Sequence, residues 1–376
     1  MFRRQIKVGI LKGGQLGKML LQEAASFDIH AMVMDNDAHC PCRYLADFTL
    51  GDSDSYDDVY AFGKKVDILT FEYEHVNVEA LKRLKSEGVI IYPDPSIIEI
   101  VQNKAVQKEF YRQNGIPTAE FKLVNNRLAL RMHEDFFPAI QKTARAGYDG
   151  KGIYKINSTE DMSGAFDEPC VLEKWVDFQK EISVLIARNA KGETVIYPTV
   201  EMMFHPQKNL VEYLLCPANL SPDIDAKARE IAFKIAQTID LVGVLAVEMF
   251  VDKDNQVLVN EMAPRVHNSG HHTIEGSLTS QFEQHMRAVL GLPLGSTDLT
   301  LPSVMVNILG ADGYDGPARY EGVEDALAQG LVYIHLYGKA VTKPFRKMGH
   351  ATILDKDINK ALEKARIVKE LIQVRA

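Results

Sequence analysis

Long apolar runs are missing from this sequence. No segment approaches the ~20 consecutive apolar residues that a membrane-spanning helix needs. The opening MFRRQIKVGILKGG is basic at its start, but its apolar run is too short for a secretory signal. Cysteine is scarce, with four residues at 40, 42, 170 and 216. They form no disulfide framework, and Cys40-Pro-Cys42 is too tight for an ordinary metal knuckle, so all four are expected as reduced thiols. Positive charge is not in excess either: 43 Lys and Arg stand against 51 Asp and Glu, a net −8, which argues against nucleic acid as a partner. Low-complexity linkers, internal repeats and a Walker A loop (G-x-x-x-x-G-K-[ST]) are all absent. The class left is a cytoplasmic enzyme with no membrane partner.

At 376 residues the chain is too long for one ordinary core, so two or three domains are expected. Up to about residue 93, strand and helix signals alternate: IKVGIL (6–11), a helix from about Gln15 to Phe27, HAMVMD (30–35), VDILTFE (66–72), a helix near 77–86 and GVIIYP (88–93). That βαβ order implies a parallel sheet. A helix over 104–114 follows. Strands dominate 138–262, around one long helix at 223–241, and a further helix covers about 279–290. The tail carries short strands at 303–309, 331–336 and 350–354 and a closing helix at 357–373. The boundaries are expected near 103 and 296, giving units 1–103, 104–296 and 297–376.

The most informative stretch is NEMAPRVHNSGHHTIEG (260–276), which follows the apolar Val257-Leu258-Val259. Upstream, LAVEMFV (245–251) carries Glu248 in its middle, and the turn-rich DKDNQ (252–256) joins the two runs as a hairpin. Glu248 and Glu261 would then meet from neighbouring strands. Either a divalent cation with hard oxygen ligands sits between them, or one acid faces solvent and the other makes a structural salt bridge. Lys12-Gly13-Gly14-Gln15-Leu16-Gly17, between a strand and a helix, can bring backbone N–H groups to a phosphate. Asp35 lies where a dinucleotide enzyme places its ribose acid, but the first glycine of that fingerprint is replaced by Lys12. A plain tight turn is the other reading. In QKTARAGYDGKG (141–152) three glycines alternate with basic residues, as in a phosphate-wrapping loop or a flexible hairpin tip. Glu173-Lys174-Trp175-Val176 reads as a strand end suited to an adenine edge, and Glu181 as an acid for ribose hydroxyls, although either acid alone is more often a surface charge.

Taken in order, the glycine turn, QNK (102–104), QKTARAGYDGKG, EKWV, EIS, AVE and NEMAPRVHNSGHHT resemble the ATP-grasp superfamily. Within it, APRVHNSGHHT with TSQFEQHMRAVLGLPLG (279–295) resembles the 5-(carboxyamino)imidazole ribonucleotide synthases of purine biosynthesis. TFEYEHV (70–76), PSVMVNILG (302–310) and YGKAVTKPFRKMGH (337–350) extend the likeness over almost the whole chain. Lys12 and Lys104 depart from it, where glycine and arginine are usual. The resemblance implies an α/β chain with an ATP-grasp fold, an N-terminal Rossmann-like domain and a small C-terminal α+β domain. It implies an ATP-dependent carbon–nitrogen ligase that carboxylates 5-aminoimidazole ribonucleotide with bicarbonate through carboxyphosphate, with Mg²⁺ (or Mn²⁺) as the metal and a homodimer as the assembly.

By the same resemblance, Lys104 and Lys142 contact the phosphates, and Gly147, Tyr148, Asp149, Gly150, Lys151 and Gly152 close over them. Residues Glu173, Lys174, Trp175 and Val176 take adenine, Glu181 the ribose, and His205 lies near the nucleotide. Asn260 supports it, and Glu248 and Glu261 hold the metal. Arg265, His267 and Asn268 face carboxyphosphate, bicarbonate and the aminoimidazole. Gln15, Leu16 and Glu74 meet the ribonucleotide, whose phosphate falls to Lys339, Arg346 and Lys347. Rival readings are a formate-dependent glycinamide ribonucleotide transformylase, a biotin carboxylase, a non-catalytic nucleotide-binding protein or a dehydrogenase.

Overall fold

Alternating apolar runs build three main sheets, covered by capped helices, in this molecule, whose computed structural model describes residues 6–145, 152–204 and 210–376. Among the described residues the first sheet is five-stranded and parallel. Its order is Asp47–Leu50, His30–Asp35, Lys7–Leu11, Ile68–Phe71 and Ile90–Ile91. The helix Gln15–Ser26 places Leu16, Met19, Leu20 and Ala24 on one buried face, the spacing an amphipathic helix requires. They pack on Val8, Ile10 and Val33 of the sheet. Burying each large side chain contributes roughly 1.5–3 kcal/mol.

The sequence missed three elements here. They are the edge strand Asp47–Leu50, the helix Tyr56–Gly63 and the helix Pro95–Val101. Both helices carry a side-chain N-cap, Ser55 accepting from Asp58 N–H and Asp94 from Ser96 N–H, a signal that is legible in the sequence.

A small antiparallel sheet follows, ordered Phe121–Val124, Cys170–Lys174, Ala139–Thr143 and Ile153–Ile156. The third sheet has nine strands. Its main path runs Val257–Ala263, Gly243–Asp252, Phe178–Arg188, Val200–Phe204, Val211–Cys216, Ser303–Leu309, Lys347–Leu354 and Val332–Leu336. Alternation in Phe178–Arg188 turns Ile182, Val184 and Ile186 onto the helix Pro222–Thr238, which answers with Ile231, Ala232, Ile235 and Ala236. Farther along, Ala361, Ala365 and Val368 of the helix Ile358–Leu371 cover Val304, Val306 and Ile353. The sheet runs unbroken across residue 296, because Val211–Cys216 pairs antiparallel with Ser303–Leu309. This continuity fixes the C-terminal segment against the acidic hairpin.

Candidate active site

The hairpin forms as its sequence predicts. Gly243–Asp252 and Val257–Ala263 pair antiparallel with Glu248 directly opposite Glu261, and the register shifts just after Glu248. Directly opposed residues in such a pair hold their side chains on the same face. Phe178–Arg188 lies on the other side of Gly243–Asp252, adding Glu181 beside Phe250. Burial, then the charges of Glu261 and Glu181, push Glu248 up to about 8, offset in part by Lys347 and Arg265. Burial likewise raises Glu181 to about 7. Buried carboxylates beside other acids call for a cation. No group of three or more metal-ligating side chains occurs among the described residues. A carboxylate pair that completes its shell with phosphate oxygens and water is, however, the ligand set Mg²⁺ accepts, so the donor chemistry fits that ion.

These acids line a cavity of about 830 Å³. Nineteen of the residues expected at the site share it: Gln15, Leu16, Glu74, Lys104, Lys142, Glu173, Lys174, Trp175, Val176, Glu181, Glu248, Asn260, Glu261, Arg265, His267, Asn268, Lys339, Arg346 and Lys347. Gly152 is not on its wall: its carbonyl accepts from Thr143 N–H at 2.9 Å, and its φ of +71° is one that glycine adopts readily. Gly147, Tyr148, Asp149, Gly150, Lys151 and His205 lie outside the described residues.

Inside the cavity, side chains hold one another. Arg265 Nη2 meets Glu74 Oε1 at 2.8 Å, while Gln102 donates to the carbonyls of Glu74 and Val76 and fixes that loop. His267 Nδ1 lies 3.6 Å from Glu248 Oε1 and 3.0 Å from Ser269 Oγ, and it accepts from Ser269 N–H. Burial, helped by Arg265 and Lys347, drops the His267 pKa well below the usual value. The ring is therefore neutral, and the bond to Nδ1 leaves its proton on Nε2. The amides of Asn268 and Asn307 exchange hydrogen bonds at 3.0 and 3.1 Å.

At the nucleotide end, Lys142 Nζ donates to Asn260 Oδ1 at 2.8 Å and pairs with Glu173 Oε1 at 3.1 Å. Glu173 is on the cavity wall, and its buried carboxylate is held by Lys142 and Lys108. Two backbone donors of this stretch are also taken, Lys174 N–H by Glu120 O and Trp175 N–H by Pro138 O. At the opposite end, Lys339 Nζ donates to Lys347 O at 2.8 Å and Arg346 Nη1 to Val341 O at 2.7 Å.

The glycine turn departs most from expectation. Glu72 accepts from Gly14 N–H at 2.7 Å and from Gly17 N–H at 2.8 Å, and Asp35 accepts from Gly13 N–H at 2.7 Å. Lys12 reaches Asn36. The anions at this helix start are thus the chain's own carboxylates, so Asp35 is taken from a ribose and the turn from a phosphate. Sequence reasoning also passed over Glu72, Arg145, Phe178, Phe250 and His271 on the cavity wall. Phe178 and Phe250 stack at 4.7 Å across paired strands, a juxtaposition that needed the register first.

Comparison with known proteins adds the following. Residues 109–282 match the ATP-grasp domain, 5–102 the ribonucleotide synthetase preATP-grasp domain, and 303–364 the phosphoribosylaminoimidazole carboxylase C-terminal domain. The chain is 40% identical over 357 residues to an N5-carboxyaminoimidazole ribonucleotide synthase of Bacillus subtilis (strain 168), covering 92% of this chain and 91% of that protein. The crystal structure of N5-carboxyaminoimidazole ribonucleotide synthetase from Thermotoga maritima superposes with a TM-score of 0.91 at 41% identity, over 99% of this chain and 100% of that one. An Aspergillus clavatus N5-carboxyaminoimidazole synthase, in complex with ADP and 5-aminoimidazole ribonucleotide, superposes with a TM-score of 0.90 at 34% identity over 99% of each chain. Among the described residues no helix is long and apolar enough to cross a membrane.

Proposed function

The chain belongs to the N5-carboxyaminoimidazole ribonucleotide synthase family of ATP-grasp ligases, and from that premise we propose how its cavity performs the family's reaction. The activity is the ATP-dependent carboxylation of 5-aminoimidazole ribonucleotide in purine biosynthesis. The observation that carries the residue-level reading is the meeting of three polar sets in one cavity: the Glu248/Glu261 pair with Lys142, the Arg265–His267–Asn268 run, and Lys339, Arg346 and Lys347.

A bicarbonate oxygen attacks the γ-phosphorus of ATP, ADP leaves, and carboxyphosphate forms. Lys104 and Lys142 bind the phosphates, and Asn260 holds the Lys142 ammonium in place. Glu248 and Glu261 would hold Mg²⁺, or Mn²⁺ in its place, which when bound would neutralise charge on phosphoryl oxygens. Arg265 offers a planar fork to the carboxyphosphate, its orientation set by Glu74. His267, neutral with its proton on Nε2, donates a hydrogen bond to the bicarbonate and does not act as a cation there. The exocyclic amine of the ribonucleotide then takes the carboxyl carbon, phosphate leaves, and the amine loses a proton. Gln15, Leu16 and Glu74 hold the imidazole end, and Lys339, Arg346 and Lys347 the 5′-phosphate. Catalysis is positioning and charge stabilisation with water kept out.

The same reading makes the chain a cytoplasmic homodimer, which rests on the family likeness alone and which light scattering checks for the dimer. The function is tested by ADP release: it should need the ribonucleotide and bicarbonate together. ADP release that ignores the ribonucleotide, with no carbamate formed from labelled bicarbonate, would overturn it.

A further inference from the structure

Among the described residues, Lys108 is the one buried ammonium that the reaction scheme above leaves without a task. It sits four residues after Lys104 on the helix Lys104–Gln113, on the face that buries Gln107 and Tyr111. Its side chain is 2% exposed. Spending a lysine in such a place costs desolvation that only specific partners offset. Its partners lead in two directions. Lys108 Nζ pairs with Glu173 Oε2 at 3.2 Å, and the other oxygen of that carboxylate pairs with Lys142 Nζ at 3.1 Å. Lys108 Nζ also donates to Thr118 Oγ1 at 2.6 Å, and Thr118 Oγ1 donates to Val259 O at 2.7 Å. Val259 immediately precedes Asn260, whose side chain receives the Lys142 ammonium. The ring of Tyr111 lies 6.0 Å away.

We propose that Lys108 is a positioning residue for Lys142, acting through the shared carboxylate of Glu173 and through Thr118 on the strand that carries Asn260. The inference rests on the reading of Lys142 as a phosphate-binding lysine. With both lysines present, each Glu173 oxygen has its own cation and the Lys142 ammonium is held at one oxygen, beside Asn260. Removing the Lys108 charge leaves a buried carboxylate with a single cation. That carboxylate draws the Lys142 ammonium across both of its oxygens and away from the cavity. Burial by itself pushes Glu173 up, yet the two lysines outweigh it and hold the acid below its usual range. Burial lowers Lys108 to about 8, so its charge depends on Glu173 in turn.

The test is a double-mutant cycle on the full-length protein, read as kcat/KM for ATP and KM for the ribonucleotide. Lys108→Met should lower kcat/KM for ATP by roughly tenfold to a hundredfold, the scale of a small misplacement in a phosphoryl-transfer site, with KM for the ribonucleotide unchanged. In a Lys142→Met background the same change should cost less than about twofold. An equal loss in both backgrounds overturns the proposal alone, because Lys108 then acts without Lys142. A Lys142→Met protein with normal ATP kinetics removes the reading of Lys142 and the proposal with it. If Lys108→Met does not fold, the pair Lys108→Met with Glu173→Gln removes both buried charges together. It should fold and still show the ATP defect, and normal ATP kinetics in that pair also overturn the proposal.

Discussion

Replacing Arg346 with Ala separates the two ends of the cavity. Arg346 is half-buried on the wall it shares with Lys339 and Lys347. One of its N–H groups is spent on Val341 O at 2.7 Å, which aims the guanidinium without consuming its fork. A charge-assisted contact to a phosphate contributes ~1.5–3 kcal/mol, so KM for the ribonucleotide should rise roughly tenfold to a hundredfold. The two neighbouring lysines keep the loss near the lower end. Stability should suffer little, because Val341 is half-exposed and water can replace a hydrogen bond whose net contribution is ~1 kcal/mol. The assay is ADP release with the ribonucleotide varied at saturating ATP and bicarbonate, then with ATP varied, at fixed ionic strength because salt screens phosphate contacts. KM for ATP should not move. Lys142→Ala should show the opposite bias, and Arg346→Lys should fall between wild type and Ala because it keeps the charge and loses the fork. Equal harm to both substrates in Arg346→Ala would make the C-terminal segment a prop and not a clamp.

Glu261→Gln keeps the shape of an exposed strand residue and removes one anionic metal ligand, so turnover at limiting Mg²⁺ should fall by at least about a hundredfold with unchanged circular dichroism. Near-normal turnover there would refute the metal assignment. His285 is buried and neutral: its Nδ1 accepts from Val244 N–H at 3.3 Å and its Nε2 lies 2.9 Å from Thr70 Oγ1. Burial lowers its pKa from 6.5 to about 4. Because the folded value is the lower one, this contribution is whole above pH 6.5 and is lost as pH falls toward 4, ~3 kcal/mol in all. His285→Gln should therefore take up about one proton fewer on unfolding near pH 5, seen as a flatter dependence of stability on pH in urea titrations; an unchanged slope would show that the ring does not titrate this way. Gly14→Ala would bring its Cβ within 2.4 Å of Glu72 Oε1, a carboxylate held by two backbone donors. Overpacking of this kind costs roughly 1–3 kcal/mol, and an unaltered melting temperature would contradict the contact.

Much of the site was legible because its chemistry sits on regular elements. The alternation of LAVEMFV and the turn in DKDNQ are local signals, and they suffice to put Glu248 opposite Glu261. Arg265, His267 and Asn268 follow that strand without interruption, so wherever the hairpin goes they go too. What stayed hidden is non-local. Nothing near Glu173 in sequence says that Lys108 and Lys142 will claim its two oxygens. Lys108 could be suspected only from its place one turn beyond Lys104. The continuity of the large sheet depends on Val211–Cys216 finding Ser303–Leu309, roughly ninety residues away in the chain, and no periodicity encodes that choice.

The glycine turn shows where motif reading reaches its limit. Glycines between a strand and a helix guarantee exposed N–H groups and a favourable potential for an anion. They do not specify which anion. Here Glu72 arrives from the loop after Ile68–Phe71, and it answers two of those donors at once. Burial pushes the Glu72 pKa up, and the two backbone N–H groups act against that rise. Asp35 answers a third donor from the end of His30–Asp35. A phosphate would have to displace both acids, leaving buried carboxylates unpaired, which costs more than the helix end can return. The first segment therefore lines the cavity with residues such as Gln15, Leu16, Glu72 and Glu74, the last paired with Arg265, while its N–H groups hold the turn itself in shape.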